Sequence, residues 1–335
     1  MPAVSVIIPT NRSREVLERC LQSIAGQDCD PREIEVIVVF NGMTVVPQWD
    51  RGAWPFCLIT DHIDEPHIGA AKNVALDRAR GEWLVLLNDD VLADSDFLSA
   101  HVAAHRQLGQ PAMVVGRSIW RRYDDETVFD RMIQTTSMIF FYDQMQPHAW
   151  YNFRHAWNLN LSLPRRCCES VRFETALRPV YFDDLEWAFR MEREHGLRVW
   201  YEPQALLLHD HRYTLDSYLT REGHLGRMAV LLWQCNPDCF RAIYETDLDE
   251  AYLDYCREFV RHEGRREEEL LTQLSRISTR PAGELAPTPD RQDELVRLLY
   301  LTHLPLKRLA FRRGVLSAVE AAATPEAAQT NLCPA

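Results

Sequence analysis

Short apolar runs alternate with stretches of helical period along the first two thirds of the chain. Val4-Ser5-Val6-Ile7-Ile8 is β-rich and stops at Pro9-Thr10-Asn11, a strand-to-loop signal. Ser13 is placed to cap a helix in which Val16, Leu17, Cys20, Leu21 and Ile24 recur with a 3.6-residue period. Residues 34–40 form the next apolar run, punctuated by Asn41-Gly42, and residues 56–60 repeat it more weakly. Residues 69–80 have helix composition, and Gly81 ends them before Trp83-Leu84-Val85-Leu86-Leu87, five apolar residues in a row. A second amphipathic helix is expected over 95–108 and a further strand over 112–116. This β-α-β-α-β order with short connections predicts an α/β fold, a mostly parallel sheet flanked by helices on both faces.

The pattern then loosens. Residues 157–163 alternate as a strand, and 182–195 open with acids and place Leu185, Ala188 and Phe189 on one side of a helix. Residues 199–201 and 205–209 read as two short strands flanking Pro203. From 215 to about 276 the period is helical throughout, followed by a Pro- and Thr-rich linker at about 279–290 and a last helical pair over 292–322. The expected organisation is an α/β domain over 1–214, an all-helical C-terminal region over 215–324 and a flexible tail over 325–335.

Composition narrows the class. An apolar fraction of 46% in 335 residues supports a substantial core. No apolar run approaches the ~18–20 residues of a membrane span. The run at 4–8 is too short for a signal peptide, so a cytoplasmic location is expected. Nine irregularly spaced cysteines then read as mostly buried thiols, and Cys235-x3-Cys239 lacks the second pair of a zinc site. Forty-nine acids against 37 bases, a net charge of −12, argue against nucleic acid as a partner. The bases are nearly all Arg; Lys72 and Lys307 are the two lysines.

Four places carry chemistry. Asn88-Asp89-Asp90 lies at the carboxyl end of an apolar strand, where parallel sheets bind ligands. Its carboxylates suit Mg²⁺ or Mn²⁺ carrying a diphosphate, or else the segment is a polar turn before the next helix. Residues 180–190 set Asp183, Asp184 and Glu186 at a helix start, where the dipole favours ionised carboxylates. That placement serves a general base or an ordinary cap. Leu206-Leu207-Leu208-His209-Asp210-His211 ends a strand in two histidines on one face, metal ligands or structural hydrogen-bonding groups. Gly69-Ala70-Ala71-Lys72-Asn73 has the small residues and the cation expected where a helix N-terminus meets a phosphate. Neither a Walker sequence nor Gly-x-Gly-x-x-Gly is present.

In this order and spacing, residues 4–12, 35–42, 69–73, 81–91, 182–190, 196–201 and His209 resemble the family 2 glycosyltransferases over roughly residues 3–212. That resemblance implies the GT-A fold, a Rossmann-like sheet, and an inverting enzyme that uses nucleotide-diphosphate sugars. It further implies that Asp90 and His209 hold the divalent cation and that Asp184 is the base deprotonating the acceptor hydroxyl. Pro9, Thr10, Asn11, Phe40, Asn41, Lys72, Asn73, Asn88 and Asp89 would line the donor pocket, and Asp183, Glu186 and Trp187 the acceptor side. The family usually has Asp where this chain has Phe40 or Asn41; aromatic stacking or an amide contact would then replace a carboxylate at the base. Asn88 replaces the first acid of the family's Asp-x-Asp.

Two other classes compete: a sugar nucleotidyltransferase and a non-catalytic sugar-nucleotide sensor. The first normally carries a basic, Gly-rich loop after its first strand, whereas here Pro9-Thr10-Asn11 follows. The expected acceptor is a carbohydrate or a lipid-linked or other hydroxyl. The basic stretch at 307–313 suggests peripheral contact with the inner face of a membrane, and alternatively a solvated face or a homo-oligomer contact through the C-terminal helices.

Overall fold

The computed structural model describes residues 2–44, 46–50, 52–178 and 180–322. The expected tail at 325–335 lies outside the described residues. In chain order the elements are β1 (Val4–Thr10), α1 (Arg14–Ala25), β2 (Ile34–Asn41), β3 (Cys57–Ile63), α2 (Ile68–Arg78) and β4 (Trp83–Leu87). Next come β5 (Val91–Ala93), α3 (Phe97–Leu108), β6 (Met113–Trp120), α4 (Val128–Thr135), β7 (Trp150–Tyr151) and β8 (Asn160–Pro164). The chain continues with α5 (Asp183–His195), β9 (Val199–His209), α6 (Leu215–Cys235), α7 (Pro237–Tyr244), α8 (Glu250–Glu263), α9 (Glu267–Ser278) and α10 (Pro289–Ala322).

The strands form one nine-stranded sheet in the order β3-β2-β1-β4-β8-β6-β9-β5, with β7 paired to β9. The first four are mutually parallel. β8 runs against both β4 and β6, so β6 and its parallel partner β9 point the same way as β4. β5 and β7 run against β9. The sheet is therefore mixed, with the mostly parallel sense the apolar runs predict. Every residue of β1, β2 and β4 is buried, the signature of strands covered on both faces. Each fully buried Ile or Leu there contributes about 1.5–3 kcal/mol.

Topology creates the crevice. The chain leaves β1 for β2 on one side and reaches β4 on the other, so the connections diverge at the β1–β4 junction. Ligands bind outside the carboxyl ends of strands at such a switch point. Thr10 and Asn88-Asp89-Asp90 occupy that position here. β9 ends on the same edge, and its His209 pairs in register with Val91 of β5.

Residues 199–209 are one strand rather than two. The register with β6 jumps from Gly116↔Glu202 to Arg117↔Leu206, so Pro203 falls in a bulge where its missing N–H costs no ladder bond. A methyl group at Gly116 would lie 2.2 Å from the Ala205 carbonyl oxygen, which is why only glycine fits there. Beside the bulge, His101 and His105 of α3 are buried against β8. Asn160 Oδ1 is 2.9 Å from His101 Nε2, and Ser162 Oγ is 2.8 Å from both His101 Nδ1 and His105 Nε2. Burial holds the two imidazoles down, to about 4 for His101 and about 3 for His105, where the neighbouring His101 adds to the effect. As pH falls below the ordinary 6.5, the unfolded chain takes up protons that the folded one refuses. Their contribution to stability is thus lost at about 1.4 kcal/mol per pH unit per histidine until the folded values are reached. The urea midpoint is expected to fall between pH 7 and pH 4.5, less steeply in His105→Gln; identical slopes in the two proteins would contradict this.

The chain divides into two compact units, residues 1–121 with 144–211 and residues 122–143 with 212–335. Residues 122–143, placed by their sequence in the α/β region, thus group with the C-terminal helices. The linker region supplies part of the reason: Thr127 bridges Pro281, Val128 N donates to Arg280 O (2.8 Å), and Ala282 N donates to Glu126 O (2.8 Å). Within this helical unit α6 and α10 cross at Gly223, Gly226 and Gly314, where added methyl groups at the last two would meet backbone at 1.9 and 2.1 Å. The expected last helical pair is one helix, α10, running through Pro305.

The basic stretch at 307–313 is largely engaged inside the helical unit. Lys307 Nζ donates to Met138 O (3.1 Å), Arg312 lies over the rings of Tyr255 and Phe259, and Arg313 makes a two-pronged pair with Glu267. Among the described residues no helix is long and apolar enough to cross a membrane. Five of the eight described cysteines are buried.

Candidate active site

Two groups of polar side chains stand at the carboxyl edge of the sheet. The first joins the ends of β1, β4 and β9. Thr10 Oγ1 donates to Asp89 Oδ2 at 2.5 Å, tying the two central strands together. Asp90 faces the other way, with His209 Nε2 3.3 Å from its Oδ1 and His211 Nδ1 3.2 Å from its Oδ2. Backbone pairing sets this geometry: Asp210 N donates to Asp90 O (2.7 Å), and Val91 sits opposite His209. Trp120 packs on the His209 ring at 4.5 Å, fixing its plane.

The two carboxylates differ in charge behaviour. Burial, and then the charge of Asp90, push Asp89 up to about 6, against the opposing bond from Thr10. Burial also works to raise Asp90. Hydrogen bonds from His209 and His211, with the charges of His209 and Arg12, overcome it and hold Asp90 well below the usual carboxylate range. Asp90 therefore keeps its charge to lower pH than Asp89 does. Its Oδ1 is buried and accepts no hydrogen bond of good geometry. One ligand atom from each of Asp90, His209 and His211 can be drawn from positions within 4.8 Å of one another. A buried carboxylate oxygen with spare lone pairs beside two imidazoles fits a divalent cation, and two nitrogen donors favour Mn²⁺ over Mg²⁺.

Arg12 completes this group. Its Nη2 donates to Asp90 Oδ2 (2.8 Å) and lies 3.0 Å from His211 Nδ1, and its Nε is 3.4 Å from Asp89 Oδ1. The sequence assigns Arg12 no role and offers His211 as a candidate ligand on the face of His209, with only His209 assigned to the cation. The available signals were the position of Arg12 directly after Pro9-Thr10-Asn11 and the shared face of His209 and His211.

The second group forms where α2 meets the start of α5. Lys72 Nζ donates to Asp183 Oδ2 at 2.6 Å, with 8% and 5% of the two side chains exposed, and sits 5.0 Å from the Phe173 ring centroid. Lys72, expected to face a phosphate, and Asp183, expected on the acceptor side, thus neutralise one another. Tyr181 and Phe182 are both in the left-handed region (φ 79° and 62°), an arrangement costly for large side chains. This turn sets the first residues of α5. Asp184 follows, half-buried, its Oδ1 accepting the Leu185 N–H at 2.9 Å. Burial first, then the charge of Asp183, raise its pKa, with Lys72 opposing. A raised carboxylate at a helix start is equipped to take a proton near neutral pH.

Several expected contacts are committed elsewhere. Phe40 is fully buried and stacks on Trp49 (6.3 Å), because β2 is covered on both faces; it offers no face to a base. Asn41 Oδ1 accepts the His67 N–H (2.5 Å), anchoring the start of α2. Both ends of the Asn73 amide bond the Phe173 backbone (2.9 and 3.0 Å), so it braces a loop instead of contacting a donor. Glu186 is 2% exposed and holds Arg190 through two 2.7 Å bonds. Trp187 is fully buried, stacks on Phe173 (4.5 Å) and donates to Val171 O (3.0 Å). Glu186 and Trp187 therefore support α5 from within and are not acceptor contacts. Asn11 is exposed, Asn88 is half-buried and Pro9 is buried at the end of β1.

Residues 5–168 match the family described as Glycosyl transferase family 2. Among curated proteins, the chain is 36% identical over 121 residues to the uncharacterized glycosyltransferase YfnE of Bacillus subtilis (strain 168), covering 35% of this chain and 30% of that protein. It is 26% identical over 258 residues to the pre-mycofactocin glycosyltransferase of Mycobacterium tuberculosis, covering 70% of this chain and 48% of that one. The validoxylamine A glucosyltransferase of Streptomyces hygroscopicus subsp. limoneus matches at 25% over 228 residues, 59% of this chain and 49% of that one. The chain spans at most about half the length of these relatives. Among solved structures, a mannosyltransferase from Pyrobaculum calidifontis in complex with GDP-Man and Mn²⁺ aligns over 98% of this chain and 78% of its own, at 18% identity and a TM-score of 0.48. Residues 1–349 of S. aureus TarS align over 96% and 92%, at 16% identity and a TM-score of 0.45.

Proposed function

Because residues 5–168 belong to glycosyl transferase family 2, we propose that the chain transfers a sugar from a nucleotide-diphosphate donor to an acceptor hydroxyl with inversion. The observation that carries this reading is the convergence of Asp90, His209 and His211 at the β1–β4 switch point, where a diphosphate-bound cation belongs. A divalent cation held there would act as a Lewis acid, offsetting charge that develops on the departing diphosphate.

The protein's own groups divide the remaining work. Pro9, Thr10, Asn11, Asn88 and Asp89 border the nucleotide side, with Thr10 holding Asp89 so that Asp90 alone turns toward the cation. Asp184 accepts the acceptor proton as the new bond forms in line with the leaving diphosphate. The Lys72–Asp183 pair positions α5 and leaves Asp184 as the carboxylate with a proton to gain. The acceptor is a carbohydrate or lipid-linked hydroxyl.

Incubation with a panel of nucleotide sugars and Mn²⁺, followed by assay of released nucleoside diphosphate, tests the reading. Slow donor hydrolysis, dependent on the cation and abolished by EDTA, is expected. Pyrophosphate-dependent exchange would make the protein a nucleotidyltransferase, and binding without turnover a sensor.

A further inference from the structure

Arg12 Nη2 stands between Asp90 Oδ2 (2.8 Å) and His211 Nδ1 (3.0 Å), atoms themselves 3.2 Å apart. A guanidinium has donors and no acceptor, so His211 Nδ1 accepts from Arg12 in the tautomer that leaves this nitrogen unprotonated, and donates to Asp90 in the other. That nitrogen has a single lone pair, which cannot serve Arg12 and a metal ion together. Nη2 has two hydrogens, one for each partner, and thereby bridges two of the three groups suited to hold a divalent cation. Its Nε reaches toward Asp89 at 3.4 Å, so the guanidinium spans both acids. The side chain is 39% exposed and attached just beyond the end of β1, where the long stem can swing without disturbing the sheet.

We propose that Arg12 is an internal counter-cation of the metal site, competing with the divalent ion for Asp90 and His211 and moving to the donor diphosphate when that ion binds. The inference rests on the metal-site reading above. Its physical basis is exchange of like charges. Asp90 and its histidines are a buried, electron-rich group whose charge must be compensated before the donor arrives. A divalent ion and a guanidinium on the same oxygen repel one another, whereas the diphosphate brought by the donor offers oxygens suited to the planar guanidinium fork. Arg12 would then couple the two binding events. Free protein would bind the cation weakly, and cation with diphosphate together tightly.

Mn²⁺ binding to the full chain, followed by electron paramagnetic resonance and calorimetry without any nucleotide, tests this directly. Arg12→Ala and Arg12→Gln are expected to bind Mn²⁺ alone about 10-fold or more tighter than the wild type, the worth of the charge-assisted bond no longer given up. With Mn²⁺ present, both variants are expected to bind inorganic pyrophosphate about 10-fold more weakly. Measurable Mn²⁺ binding to the wild type with no gain in either variant overturns the counter-cation role and leaves the metal site standing. Unchanged pyrophosphate affinity overturns the movement to the diphosphate. Absence of Mn²⁺ binding in wild type and variants alike removes the metal-site reading, and this inference with it.

Discussion

Replacing Asp184 by Asn is expected to lower sugar transfer by about 10²–10⁴-fold, the usual worth of a general base, while nucleoside diphosphate binding is unchanged. The amide keeps the shape of the carboxylate at the first turn of α5 and can still accept the Leu185 N–H. What it loses is the capacity to take a proton. The wild-type pH profile carries the same information. Burial and the neighbouring Asp183 raise the Asp184 pKa, and a general base works in its ionised form. Rate should therefore be held above that raised value and fall as pH drops through it, so the acid limb lies above the ordinary carboxylate range. Steady-state transfer across pH 4–8, beside calorimetric binding of nucleoside diphosphate, checks both parts. Wild-type turnover by Asp184→Asn would remove this residue from the proton transfer.

Asp90→Asn is expected to weaken Mn²⁺ binding by about 100-fold or more, since even residues that only orient a metal ligand cost about 10–100-fold. The substitution preserves volume but removes the charge around which Arg12, His209 and His211 are gathered. Cation-dependent binding of nucleoside diphosphate should fall to the level seen in EDTA, and transfer with it. Asp89→Asn is the control: Asp89 is held by Thr10 and lies outside the group that Asp90 forms with His209 and His211. A smaller loss of Mn²⁺ affinity is expected there. Equal Mn²⁺ affinity of Asp90→Asn and wild type in calorimetry would exclude Asp90 as a ligand.

The parts of the fold legible in sequence were those with a strong local signal. β4 spans Trp83–Leu87, the five-residue apolar run itself. β1, β2 and α5 depart from their apolar or periodic segments by at most two residues at either end. Weaker local signals failed. β5 has three residues and exists through its pairing with β9. α4 has eight residues, and its segment groups with the C-terminal helices. Two strands were expected around Pro203 and a helical pair over 292–322, yet the chain absorbs Pro203 in a bulge and carries Pro305 within α10. A proline's local cost is visible in sequence; whether neighbouring structure offsets it is not.

The site divides along the same line. Asp89, Asp90 and His209 could be picked out because acids and an imidazole directly ended apolar strands, and strand ends in such sheets face ligands. Phe40, Asn73, Glu186 and Trp187 sit in equally suggestive positions, but the fold uses them for packing and bracing. Arg12 and His211 show the reverse: their local signals are weak and name no partner, and β4, β1 and the end of β9 bring them to Asp90 across 78 and 121 residues of sequence. The sequence by itself marked the long apolar strands, the edge of the sheet that carries the acids, and the match of residues 5–168 to glycosyl transferase family 2. Only the tertiary structure decided which side chains share a space, hence which charge is paired and which remains available. That outcome depends on contacts between residues far apart in the chain, and local periodicity holds no record of them.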